Sequence, residues 1–197
     1  AALRFPGTLA NLSGLGQGDA EEALRRHVGV CLDACHAAVE FETPSDAIGD
    51  LRQAGIRIAK LQLSAGLRIA DMTPDKADAL HKFDDDVYLH QVVERQGDAL
   101  NRYLDMPDAF DNLNHGGAAR EWRVHFHVPI FLDALGEFSS TQAFLRELLL
   151  LHRQEPISQH LEVETYTWDV LPEEYRSEAV EGAIARELDW VGSILKP

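Results

Sequence analysis

Two short runs of this chain place paired ionisable side chains at strand spacing. Trp122 to Val128 reads WRVHFHV and His160 to Tyr166 reads HLEVETY. Side chains in a strand alternate, so residues two apart share a face. His125 and His127 therefore point the same way, together with Arg123, while Val124, Phe126 and Val128 point the other way. Glu162, Glu164 and Tyr166 likewise share a face, opposite Leu161, Val163 and Thr165. Two more runs behave alike. In Arg57 to Ser64 (RIAKLQLS), Lys60, Gln62 and Ser64 share a face. In His27 to Asp33 (HVGVCLD), Cys31 and Asp33 do, and His36 follows just past the end. Burying so many uncompensated charges would cost several kcal/mol each. A divalent cation would offset much of that cost, and carboxylate oxygen with imidazole nitrogen suits Zn²⁺, Mn²⁺ or Fe²⁺. The candidate metal ligands are Asp33, His36, Gln62, His125, His127 and Glu164. The neutral amide of Gln62 is a poorer ligand for Zn²⁺ than imidazole and shifts the preference toward harder ions such as Mn²⁺ or Mg²⁺.

The elements that must position these residues follow from apolar pattern and caps. Between the four strand-like runs lie helical patterns. Ser45 is read as the cap of a helix running to about Ala54, with Gly55 as its stop. Ser140 or Thr141 caps Gln142 to Arg153, where Phe144, Leu148 and Leu151 recur at helical spacing. A last helix is expected from near Pro172, carrying Tyr175, Ala179, Ala183, Leu188 and Val191. Alternation of this kind predicts right-handed βαβ units and a parallel sheet. Residues 65–104 break the rhythm. Thr73-Pro74-Asp75 starts a short helix, and Val87 to Glu94 and Ala99 to Leu104 flank Arg95-Gln96-Gly97-Asp98 as a hairpin. This insertion follows a strand's C-terminal end, which is the active-site face of a barrel.

Four βα units amount to half of an eight-stranded (β/α)₈ barrel, with 1–197 as one domain. Two parallel edges, at His27–Asp33 and His160–Tyr166, would then stay open, so either an N-terminal half or a second copy of the chain, as a homodimer, is expected to close the barrel. The opening Ala1-Ala2-Leu3-Arg4 does not look like a native start. In such a barrel the second and fourth runs supply the same interior layers. This pairs Gln62 with Glu164 in the site, and Lys60 with Glu162 one layer deeper as a structural ion pair.

Charge narrows the function classes. Eighteen Lys and Arg stand against 33 Asp and Glu, a net charge of -15. Phosphate backbones are bound by basic surfaces, so no nucleic-acid partner is expected. No run of 18 apolar residues signals a membrane span, and no stretch has the regions of a signal peptide. Cys31 and Cys35 are too few for a disulfide framework, which points to a reducing, cytoplasmic setting.

The stretch VGVCLDACHA (28–37) resembles the fifth strand of endonuclease IV-type repair nucleases, in which the aspartate and histidine bind metal. Lys60-Leu61-Gln62-Leu63-Ser64 resembles the sixth strand, with Gln62 where the family usually places a histidine. Arg123-Val124-His125-Phe126-His127 resembles the seventh, with His125 in place of an aspartate, and Val163-Glu164-Thr165 the eighth, with its ligand glutamate. The same superfamily holds xylose isomerase and the sugar epimerases. Within it, CLDACHAAVEFE and VETYTWDVLP look typical of the EboE-type metabolite traffic proteins, which are about twice this length. The resemblance implies a xylose isomerase-like TIM barrel of which this chain is the C-terminal half, strands 5 to 8. It also implies a metal-dependent sugar (phosphate) isomerase or epimerase acting on a polyol or specialised metabolite. Glu164 would serve as metal ligand and acid/base, Asp33 as ligand, and His36 would touch substrate or a second metal. His125 and His127 would bind a second metal or substrate oxygens. A non-catalytic metabolite-binding module on the same site is the alternative. An apurinic-site endonuclease is a third reading that the charge opposes.

Overall fold

The computed structural model describes residues 5–84, 87–113, 119–165, 167–176 and 179–196. Residues 1–4 and Tyr166, both singled out from the sequence, lie outside them. Two helices lead in, α1 (Phe5–Ser13) and α2 (Gln17–His27). They are followed by β1 (Val30–Asp33), α3 (Ala34–Val39), α4 (Pro44–Gln53) and β2 (Ile58–Leu63). A long excursion then runs through β3 (Leu67–Ile69), α5 (Pro74–Leu80), β4 (Val92–Gln96), β5 (Ala99–Tyr103), α6 (Met106–Asp111), β6 (Glu121–Val124), β7 (Ala134–Leu135) and β8 (Phe138–Ser140). The chain returns with α7 (Gln142–Gln154), β9 (Leu161–Val163) and α8 (Val180–Leu195).

The strands form two sheets, a mixed α/β arrangement. One is parallel, in the order β1-β2-β9; the other is antiparallel, in the order β5-β4-β6-β3-β8-β7. Among the described residues both sheets are open and no barrel closes. The parallel order corrects the expected row of four strands. Of the third run only Trp122–Val124 is strand, as part of β6, and it pairs antiparallel with β3 and β4. Period-two alternation announces a strand but not its direction. Trp122 and Val124 satisfy it by burying completely on one face of the antiparallel sheet. The second parallel strand therefore pairs directly with the last, Leu61 opposite Leu161 and Leu63 opposite Val163.

The parallel part consists of three strands joined through helices. Thr43 caps α4 by accepting from the Asp46 N–H at 3.2 Å, with Pro44 at its first turn. The cap is thus Thr43, two residues before the expected Ser45. Gly55, at φ 66°, ends the segment in the left-handed region that glycine adopts freely. His27 closes α2 rather than opening a strand, so β1 begins at Val30. The segment at Pro172 is a 3₁₀ turn over Glu173–Tyr175, and the last helix starts at Val180.

The excursion is longer than the 65–104 insertion expected from sequence: the chain leaves the parallel sheet after β2 and returns only at α7. Its hairpin is β4 with β5, closed by Gly97 and Asp98, with Gln96 opposite Ala99. Its two ends are tied together, since the Gly66 N–H donates to the Thr141 hydroxyl at 2.9 Å and the Thr141 N–H to the Gly66 carbonyl at 2.8 Å. One hydrophobic cluster nonetheless joins both sheets, bringing Leu61 and Leu63 together with Leu67, Trp122, Phe126, Leu145 and Leu148. Among the described residues no helix is long and apolar enough to cross a membrane.

Candidate metal centre

The C-terminal ends of β1, β2 and β9 lie at one rim of the parallel sheet, where open α/β sheets bind their ligands. Asp33 closes β1 and caps α3. Its Oδ1 accepts from the Cys35 N–H at 2.8 Å, the His36 N–H at 3.1 Å and the Ser64 hydroxyl at 2.7 Å. All three bonds fall on one oxygen, which fixes the carboxylate's orientation. Glu164 directly follows β9, half-buried. Burial, and then the nearby charge of Asp33, raise its carboxyl above the ordinary value.

The imidazoles come from the other sheet. Past β6 the backbone is tied to three neighbours: the His125 N–H donates to Gln91, the Val128 N–H donates to Ala65 at 2.9 Å, and the Thr167 hydroxyl donates to the His127 carbonyl at 2.7 Å. These bonds bring His125 and His127 over the rim. Their Nε2 atoms are 3.1 Å apart, within hydrogen-bond distance. Burial, followed by the neighbouring His36 and His127 rings, pushes His125 down to about 3. Burial does the same to His127, down to about 4. Both rings are neutral at pH 7, the form in which imidazole offers a lone pair to a metal.

Two groups of side chains at this junction could hold a metal ion. Asp33, His127 and Glu164 have ligand atoms within 4.8 Å of one another, and so do Cys35, His125 and His127. His127 belongs to both, with its Nδ1 3.8 Å from Glu164 Oε2. The first group offers oxygen and nitrogen, the second sulfur and nitrogen. A small pocket opens beside them, lined by His127, Glu164, Thr165, Thr167, Trp168 and Glu187. Glu187 is buried there, accepting from the Ile130 N–H at 3.1 Å and the Thr165 hydroxyl at 2.8 Å.

Of the six predicted ligands, Asp33, His127 and Glu164 meet in one group and His125 joins the other. His36 is exposed and belongs to neither; its ring packs edge-on against His125, with centroids 4.1 Å apart, at the mouth of the site. Gln62 is buried, and its amide oxygen accepts from the Cys31 thiol at 3.8 Å. It stands in register with Asp33 on one side and Glu162 on the other. It is therefore not level with Glu164, as the layer argument expects, because β2 and β9 are direct neighbours. Lys60 and Glu162 do pair, at 3.2 Å, but their side chains are 34% and 60% exposed, so this is a surface pair rather than a deeper layer.

Cys35 is the residue the sequence reading missed. It is fully buried, and burial raises its thiol well above the ordinary value. Strand alternation breaks at Ala34, where α3 begins, so face arguments stop one residue short of it. The available signal was chemical: a third ligand type set between Asp33 and His36. Gly66 makes room for it, since a Cβ there would lie 2.9 Å from the Cys35 sulfur and 2.7 Å from the Val124 carbonyl.

No family model matches this chain, and no curated protein or solved structure matches it.

Proposed function

We propose that this chain forms part of a metal-dependent sugar or sugar-phosphate isomerase or epimerase, of the xylose isomerase-like kind and related to the EboE-type metabolite traffic proteins. In this reading β1, β2 and β9 are an arc of a (β/α)₈ barrel. The excursion sits on the arc's C-terminal face, and an N-terminal half or a second copy covers the free edges of β1 and β9. The observation that carries the proposal is the convergence of Asp33, His127 and Glu164 within 4.8 Å at the rim of a parallel sheet. A bound divalent ion would polarise substrate oxygens and acidify an adjoining C–H bond. Asp33, held by three donors, is a fixed anionic ligand. Glu164, with its carboxyl raised by burial and by Asp33, is the group suited to take up and return that proton. His127 supplies a neutral nitrogen, and His125 and His36 line the approach for a polyol or specialised metabolite. Cys31 and Cys35, both free thiols, suit a reducing cytoplasm.

A second reading, a binding module without turnover, is favoured by Gln62 and His125. They stand where the resembled strands carry a histidine and an aspartate. Elemental analysis of the purified chain, beside an Asp33→Ala, Glu164→Ala double variant, tests the centre. The expected result is about one equivalent of metal in the parent and loss in the variant. Metal absent from both, or equal in both, sinks the proposal. If metal binds, solvent deuterium exchange into added polyols separates enzyme from binding module.

A further inference from the structure

Away from the rim, three guanidiniums gather on one carboxylate. Glu121 Oε1 accepts from Arg68 Nε at 2.9 Å and Arg123 Nε at 2.8 Å, while its Oε2 accepts from Arg68 Nη2 at 3.2 Å and Arg95 Nη2 at 3.1 Å. The strand register sets this up, with Arg68 opposite Arg123 and Arg95 opposite Glu121 on neighbouring strands. Burial opposes the charge on Glu121, but its bonds to Arg68 and Arg123 prevail and hold the carboxyl down at about 2. The Phe41 ring lies against two of the cations, 4.4 Å from Arg95 and 4.0 Å from Arg123. Phe41 reaches that place with φ 61°, the one non-glycine residue in the left-handed region among those described, at a cost on the order of 1 kcal/mol. The adjacent Arg102 is neutralised by Glu40 at 2.7 Å.

Three guanidiniums less one carboxylate leave two positive charges concentrated on one face of a chain whose net charge is -15. One carboxylate neutralises one arginine; the second and third repel each other, and among the described residues no second carboxylate pairs with them. Arg68 and Arg95 remain 38% and 43% exposed. Each guanidinium has five N–H donors, so both keep donors beyond those spent on Glu121. Planar guanidinium forks match phosphate oxygens. We propose that Arg68, Arg95 and Arg123, gathered on Glu121 over Phe41, form a binding site for a dianionic phosphate group, either free or as a small phosphate monoester. This site stands independently of the metal centre.

Calorimetric titration of the chelator-treated chain with inorganic phosphate and with glycerol phosphate, at fixed ionic strength against chloride, tests it. Saturable binding is expected. It should weaken about tenfold in Arg68→Gln and in Arg95→Gln, and stay unchanged in Arg52→Gln, which breaks a pair with Glu155 elsewhere. Tighter binding of the ester identifies a phosphorylated small molecule as the ligand, and equal binding identifies free phosphate. Absence of saturable binding by the parent chain overturns the proposal without any variant. So does an equal loss in Arg52→Gln, or an aspartate-rich peptide binding as tightly as phosphate. Arg95 gives Glu121 a single bond, so its variant keeps the test open if Arg68→Gln fails to fold.

Discussion

The parallel and the antiparallel sheet handle charge in opposite ways. In the parallel sheet the ionisable groups stand at the rim or on the surface: Asp33 and Glu164 at strand ends, Lys60 with Glu162 in water. In the antiparallel sheet one charged pair is taken fully inside. Glu94, 3% exposed, accepts from Trp122 Nε1 at 2.8 Å and Asn101 Nδ2 at 3.1 Å, and pairs with the buried Arg120 at 3.3 Å. A buried charge persists only when its bonds are made inside the protein. A rim charge keeps its orientation through neighbours such as Ser64 while remaining open to a ligand. The same residue types are thus bonded inside one sheet and left accessible at the rim of the other. The residues that could hold a metal gather where the two meet, the acids from the parallel sheet and the imidazoles from the excursion.

Substitutions can break that contrast. Glu94→Ala should cost the most, about 3–5 kcal/mol, because it strands Arg120 as a buried unpaired cation. Urea unfolding reads it, and a loss no larger than that of a surface variant would remove the distinction between the sheets. Acid should act next, at the junction. His125 and His127 are depressed from their ordinary 6.5 to about 3 and about 4. The unfolded chain therefore binds protons first, and stability falls as pH drops from about 6.5 toward 3. A His125→Gln, His127→Gln double variant should flatten that part of the stability–pH profile; an unchanged slope would show that the rings titrate normally. Lys60→Met should do least. Its pair is exposed, and exposed pairs contribute little, so its unfolding midpoint should stay closest to that of the parent.

What could be read from sequence divides along the same line. Apolar alternation placed β1, β2 and β9 to within a few residues, and Thr73-Pro74 and the Gly97-Asp98 turn were visible because caps and turns are local chemistry. Residues 122–128 were read as a strand in the wrong sheet. Direction and neighbours depend on what Trp122 and Val124 pack against, which no local pattern encodes. His125 and His127 nonetheless reach the rim, by another route. Cys35 escaped because a helix starts between it and Asp33. The arginine cluster escaped because its members lie on three strands far apart in sequence.

The two hydrogen bonds joining Gly66 to Thr141 have a consequence for how this molecule can be taken apart. They act as a suture: everything between them enters and leaves the parallel layer through one doorway, a single amide-to-amide gap wide. A splice from Ala65 to Gln142 is thus a short bridge, and the deleted segment carries both imidazoles while Asp33 and Glu164 stay behind. The carboxylate and imidazole parts of the candidate site are thus separable along the chain at one seam but not in packing, since one hydrophobic cluster spans both sheets.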